Sequence, residues 1–213
     1  GAKAFTDFSE MYNSVQPDMV FICVPPTQHG AIERETIARG IPFFVEKPMA
    51  LDLGLAREIN AAAAARGLIT AVGFQCRYSN ICGPTLEFAH KNEIVFTECA
   101  RIGSVPGVPW WRVKATSGGQ LVEQTIHQLD IIRYVLGDAV EVFSMAARGF
   151  ITDMPGYDTD DLTVTVARFA NGSLAAISTG CYASAGAAFD SKITFGARDA
   201  RCDHYIIEKA VIY

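Results

Sequence analysis

Lys47, Glu123 and His127 are of the residue types that move a proton and steady a developing oxyanion. Lys47 belongs to Glu46-Lys47-Pro48, which ends a short apolar run, residues 41–45, that reads as a buried strand. A buried strand that delivers a charged pair and a proline at its carboxyl end presents chemistry to a crevice. Glu123 and His127 stand four residues apart, a spacing that brings two side chains together on a helix surface. There a carboxylate orients the imidazole and tunes it for proton transfer near neutral pH. Each feature has a plain structural reading when taken alone. Glu123 and His127 read as an exposed helical pair, Lys47 as a strand-end surface lysine, Trp110-Trp111 as packing, Pro25-Pro26 as a stiff turn, and His29 as a capping or surface residue. Their joint, ordered occurrence carries the chemical reading.

The elements that must position these residues follow from periodicity. Residues 18–24 form a continuous apolar run bounded by Pro17 and Pro25-Pro26, which suits a strand covered on both faces. Residues 29–39 show helical spacing, with Gly40 and Pro42 as stop signals. The strand ending at Glu46, an alanine-rich helix over about 53–66 closed by Gly67, and a third apolar run at 68–74 come next. Strands alternating with helices through short connections imply right-handed crossovers and a parallel sheet. The carboxyl ends of its strands share one rim, so Pro25-Pro26, Glu46-Lys47-Pro48 and Gln75 are expected as neighbours.

Beyond residue 73 the pattern changes to strands at 93–101, 139–147, 162–169, 173–180 and 192–195, with no long helix among the last three. Asn171-Gly172 signals a hairpin, because both residue types accept positive backbone angles. One long helix is expected over 117–137, with Ser117 and Gln120 as a capping box and Gly137 as its stop. Val122, Ile126, Leu129, Ile132 and Leu136 make its expected buried stripe; Glu123, His127, Asp130 and Tyr134 make a second stripe rotated by about 100°. The fold class is α/β: a partial Rossmann-type parallel sheet over 1–74, then an α+β domain with a largely antiparallel sheet over 75–213.

Half of the 213 residues are apolar, which is ample for core burial, and the net charge is −5 with no Lys/Arg cluster, which argues against a nucleic-acid partner. No apolar stretch approaches the ~20 residues of a membrane span, and the start of the chain lacks a basic-then-apolar leader pattern. Cys23, Cys76, Cys82, Cys99, Cys181 and Cys202 are scattered, mostly within apolar runs and without a CxxC pair. They read as reduced core residues of a cytoplasmic protein with no metal site.

Residues 20–48, together with Trp111-Arg112, Gly118-Gly119, His127 and Asp130, resemble in order the motifs of the Gfo/Idh/MocA family of NAD(P)-dependent oxidoreductases. The resemblance implies hydride transfer between NAD or NADP and a hydroxyl-bearing carbon of a sugar, inositol or related polyol. It implies Lys47 beside the nicotinamide and the substrate hydroxyl, Glu46 placing it, and a cis bond before Pro48. His127 becomes the proton acceptor. Glu123 stands where many members have Asp and contacts substrate or orients His127. Pro25, Pro26, His29 and Gln75 would line the dinucleotide, Trp111 and Arg112 would approach it, and Arg77 and Tyr78 would lie on the crossing segment. A homo-oligomer formed through the antiparallel sheet is also implied.

The family's GxGxxG fingerprint is absent from these residues. Relative to the family, the chain begins after the first two strands and stops before the last strands and helix. The expectation is an internal piece of a longer dehydrogenase that by itself binds NAD(P) weakly and turns over nothing. Two other functions use the same pattern: an NAD-dependent glycosidase, and a catalytically silent scaffold subunit. Substrate choice is expected to lie in loops 103–109 and 153–161.

Overall fold

The computed structural model describes residues 1–184, 187–188 and 191–213, which divide into two compact units, Gly1–Gly73 and Phe74–Tyr213.

The first unit opens with helix α1 (Phe8–Val15), capped by Asp7, whose carboxylate accepts the Glu10 N–H at 2.7 Å. Strands β1 (Val20–Ile22), β2 (Phe43–Val45) and β3 (Thr70–Val72) pair in parallel in the order β1-β2-β3. Helices α2 (Ala31–Ala38) and α3 (Leu53–Ala65) form the crossovers. Val20, Ile22, Phe43 and Val45 face these helices and make one core with Tyr12, Ile37 and Ile59. The alternate residues Phe21 and Phe44 lie on the opposite face, where their rings meet at 5.4 Å. That face is not covered in the way an uninterrupted apolar run suggests, because Phe21 is exposed. Helix α1 produced no signal strong enough to be read in the sequence, yet it contributes Tyr12, whose hydroxyl bonds Thr36 at 2.6 Å inside the core.

The second unit is a seven-stranded sheet in the order β10-β9-β8-β4-β7-β6-β5. Its strands are β4 (Phe96–Ile102), β5 (Ala139–Ala147), β6 (Leu162–Phe169), β7 (Leu174–Gly180), β8 (Lys192–Gly196), β9 (Arg201–Tyr205) and β10 (Lys209–Ile212). Every pairing is antiparallel except that of β4 with β7. One face packs under helix α4 (Cys82–Lys91) and the later helix α7 (Ile126–Leu136), burying Phe88, Ile131, Ile177, Ile193 and Phe195. The strands read from sequence match β4 to β8 closely. Helix α4 and the short strands β9 and β10 are additions, elements whose mixed polarity gives no clean period.

Two local readings are corrected here. At the β6–β7 turn only Gly172 takes a positive φ, at 87°. Asn171 instead accepts hydrogen bonds through its side-chain oxygen from the Ser173 N–H at 3.1 Å and hydroxyl at 2.7 Å. All six thiols are free and five are buried, but Cys23 is exposed and is not a core residue.

Candidate functional site

The rim of the parallel sheet carries the first group of residues. Backbone bonds from Glu46 N–H to Ile22 O and from Gly73 N–H to Val45 O, each 2.9 Å, extend the ladder one step past β2 and β3. They hold the Glu46-Lys47-Pro48 turn at the strand ends. The Lys47–Pro48 peptide is cis, as the resemblance implied. Glu46 folds back so that its carboxylate accepts the Lys47 N–H at 3.1 Å. A Cβ at position 73 would fall 2.9 Å from both Glu46 carboxylate oxygens, so a glycine there lets the carboxylate lie flat on the backbone. Lys47 is half-buried on this turn.

Pro25 is exposed and Pro26 buried, opening the short 3-10 turn Pro26–Gln28. His29 is not a surface cap: it is 8% exposed, and its Nδ1 lies 2.5 Å from Glu33 Oε1. Burial raises the Glu33 pKa, but hydrogen bonds from His29 and the Gly30 N–H outweigh it and hold the carboxyl below its ordinary value. Sequence reading missed this pair, although the i,i+4 His-Glu spacing matches the Glu-His spacing singled out downstream. Gln75 is exposed and opens the 3-10 helix Gln75–Tyr78, which belongs to the second unit.

In the second unit the expected single helix is three. Helix α5 (Lys114–Ser117) ends at Gly118, whose φ of 75° and N–H bond to Lys114 O at 2.8 Å close it with a left-handed cap. Gly119 follows with φ 89°. Ser117 therefore terminates one helix rather than capping the next. The paired glycines are there because two successive residues must take positive φ. Helix α6 (Gln120–Glu123) stops after one turn. The Gln124 and Thr125 N–H groups both return to Gln120 O, and α7 then restarts at Ile126. The buried Thr125 hydroxyl accepts from Thr179 on β7 at 2.9 Å, anchoring the break to the sheet.

This break overturns the two-stripe picture. The most buried side chains of the segment are Ser117, Gln120, Glu123, Thr125, Gln128, Asp130, Ile131 and Ile132, while Val122, Ile126, Leu129 and Leu136 are only half-buried. Glu123, at 2% exposure, is an enclosed carboxylate, and His127 is half-buried beyond the break. They are not an exposed pair on an unbroken helix. Asp130 is structural: both its oxygens accept from Arg77 at 2.6 Å, and the Arg77 guanidinium also stacks 4.5 Å from the Tyr134 ring. Tyr78 is exposed.

The two loops expected to choose substrate are tied down. Arg112 donates to Pro106 O at 2.7 Å and Gly107 O at 2.9 Å, and Trp111 packs edge-on against Trp110 at 5.5 Å. Asp160 accepts from Lys114 at 2.8 Å and Arg148 at 2.6 Å, and Asp161 accepts the Phe150 N–H at 2.7 Å. The Tyr157 hydroxyl meets the Cys181 thiol at 2.9 Å; burial, reinforced by that thiol, raises its pKa. Among the described residues no group of three or more His, Cys, Asp or Glu could hold a metal ion, and no helix is long and apolar enough to cross a membrane.

In open parallel sheets, ligands bind outside the carboxyl ends of the strands, the rim on which this turn lies. A glycine-rich pyrophosphate turn is not among these residues.

Comparison with known proteins places this geometry in a family. Residues 1–74 match the model described as "Oxidoreductase family, NAD-binding Rossmann fold", and residues 93–198 match the GFO/IDH/MocA C-terminal domain. The chain is 27% identical over 199 residues to myo-inositol 2-dehydrogenase of Thermotoga maritima, covering 92% of this chain and 59% of that protein. It is 30% identical over 142 residues to D-glucoside 3-dehydrogenase of Escherichia coli, covering 64% of this chain and 40% of that protein. An NAD-binding oxidoreductase from Klebsiella pneumoniae shares the fold, with a TM-score of 0.86 at 22% identity over 99% of this chain and 60% of the other. The chain spans about half the length of the curated relatives it matches. With both halves matched in order, the chain belongs to the Gfo/Idh/MocA oxidoreductase family.

Proposed function

We propose that the protein of which this chain forms part transfers a hydride between NAD(P) and a hydroxyl- or carbonyl-bearing carbon of a sugar, inositol or related polyol. The observation that carries this is Lys47 on its turn at the carboxyl rim of the sheet in the NAD-binding half. Inositol and glucoside dehydrogenases among the relatives support the substrate class. When bound, the nicotinamide supplies the hydride acceptor or donor. The Lys47 ammonium neutralises the developing alkoxide, and Glu46 fixes the turn that presents it. His127 takes the hydroxyl proton during oxidation and returns it during reduction, and Glu123 orients the imidazole. Acid-base help of this kind is worth roughly 10²–10⁴-fold. Pro25, Pro26, His29, Gln75, Trp111 and Arg112 border the dinucleotide.

The test is reduction of NAD⁺ and NADP⁺, followed by absorbance, by the full gene product against a panel of inositols, aldoses and glycosides. Turnover with at least one polyol is expected. If NADH binds without turnover anywhere in the panel, the silent-subunit reading replaces this one.

A further inference from the structure

Strand β4 alternates exposed and buried residues from Phe96 to Cys99; the half-buried Arg101 continues the side of Thr97 and Cys99, although the alternation lapses there and Ile102 is buried as well. Thr97 and Cys99 are fully enclosed there, which puts an arginine third in a row reserved for the core. Register pairs Arg101 with Thr179, the residue whose hydroxyl holds the break between α6 and α7. A guanidinium on such a face loses much of its hydration, and an anion must repay the loss. Among the described residues Arg101 donates only to Gln124 Oε1, at 3.0 Å, and no Asp or Glu pairs with it. Its Nη1 lies 2.6 Å from where a Cβ at Gly103 would stand, so the cation sits under the 103–107 loop.

The same place holds a second unspent donor. Gln120 is 5% exposed, and its Nε2 has no acceptor among the described residues. Arg101 and Gln120 both line one cavity of about 390 Å³, with Ser104, Thr179 and Cys181 among its other walls. That volume admits a group of monosaccharide size, and its convergent donors favour an acceptor-only guest.

We propose that this cavity binds an anionic group, a carboxylate or phosphate, carried by the sugar or polyol substrate, with Arg101 as its ion partner and the Gln120 amide donating beside it. The inference rests on the oxidoreductase reading and narrows its substrate class to sugar acids or sugar phosphates. Arg101 here binds and aligns substrate, and takes no part in moving the hydride or the proton.

The test uses the full gene product and matched probes: glucose, glucuronate and glucose 6-phosphate; galactose and galacturonate; myo-inositol and its monophosphate. Binding is read by calorimetry and turnover by nicotinamide absorbance. At least one acidic member is expected to exceed its neutral partner at least about tenfold in kcat/KM. Arg101→Gln is expected to raise the KM of that member roughly 10- to 100-fold with little change in kcat, the range for losing one hydrogen-bonded charge, and to narrow the gap between the acidic member and its neutral partner by the same factor. Arg101→Lys should restore part of the loss. Circular dichroism checks the fold, and Gln120→Met, which keeps the volume and removes the donor, serves if Arg101→Gln does not fold. Whether carboxylates or phosphates lead identifies the group. Turnover of neutral sugars alone, unchanged by these substitutions, overturns the anion site and leaves the oxidoreductase standing. Acid binding that depends on Arg101 without any nicotinamide turnover does the reverse. Failure of every acidic probe to bind overturns the anion site.

Discussion

At the scale of the residue, the proposed chemistry depends on what surrounds three side chains. Lys47→Met and His127→Asn are each expected to lower kcat of the full enzyme by about 10²–10⁴-fold, with NADH affinity changed much less. Steady-state rates and NADH titration check this, and near-normal turnover in either variant removes that residue from the proposed chemistry. Both residues were legible in the sequence, because their motifs combine a charged or titratable type with a recognisable position relative to a strand end or a helix. Glu123 was legible by type only. Its near-complete burial and the break that separates it from His127 depend on the sheet beneath them. The buried His29–Glu33 pair and the cavity-facing Arg101 were not singled out, since an i,i+4 pair and a strand arginine look ordinary until burial is known.

At the scale of the element, the broken helix shows how local signals were misassigned. Ser117 to Gln120 looks like a capping box, but two consecutive glycines can equally end one helix and begin another. Gly119 has φ 89° with ψ 176°, a region open almost only to glycine, and open space where a Cβ would stand, so Gly119→Ala should cost about 1–3 kcal/mol through backbone conformation alone. Urea denaturation reads the cost directly, and no loss would mean that the turn relaxes to another path. The Arg77–Asp130 bridge docks the 3-10 helix Gln75–Tyr78 on α7. Arg77→Met leaves an almost enclosed carboxylate unpaired and is expected to destabilise by about 3 kcal/mol, the low end for a buried pair. The low end applies because Arg77 keeps 33% of its side chain in water. Arg77→Met combined with Asp130→Leu should recover most of that loss, and a double-mutant cycle tests the recovery.

At the scale of the whole molecule, acid stability and self-association are the testable properties. His204 on β9 is fully enclosed, with its Nδ1 2.8 Å from the Thr85 hydroxyl, and burial pushes its pKa from 6.5 down to about 4. Between those values the unfolded chain binds a proton that the folded one refuses. Stability present above pH 6.5 is therefore lost as pH falls toward 4, by an amount on the order of 3 kcal/mol. Denaturation at pH 7 and pH 4.5 should show His204→Asn losing less than the parent, and equal losses would mean that His204 protonates without unfolding. The outer sheet face carries Phe143, Met145, Val164 and Val166, all exposed, with Phe143 at 64%. An apolar face of this kind marks an interaction surface. If a second copy of the same protein covers it, Phe143→Glu should shift the mass measured by light scattering toward the monomer. An unchanged mass would point to a different surface or to a monomer.

The sequence alone determined the order and type of the alternating strands and helices from β1 to β3 and of strands β4 to β8, the change from parallel to antiparallel sheet, the Lys47 turn and the family motifs. These are local: hydrophobic period, turn residues and motif order are written within a few tens of positions. Only the tertiary structure decided which faces are buried, where the 117–137 segment breaks, that Asp130 serves Arg77, and that Arg101 lies in a cavity. Those outcomes depend on partners far away in the chain. Thr125 meets Thr179, Arg77 meets Asp130, and β4 lies between β8 and β7. Burial is a property of such non-local register, which no window of neighbouring residues contains.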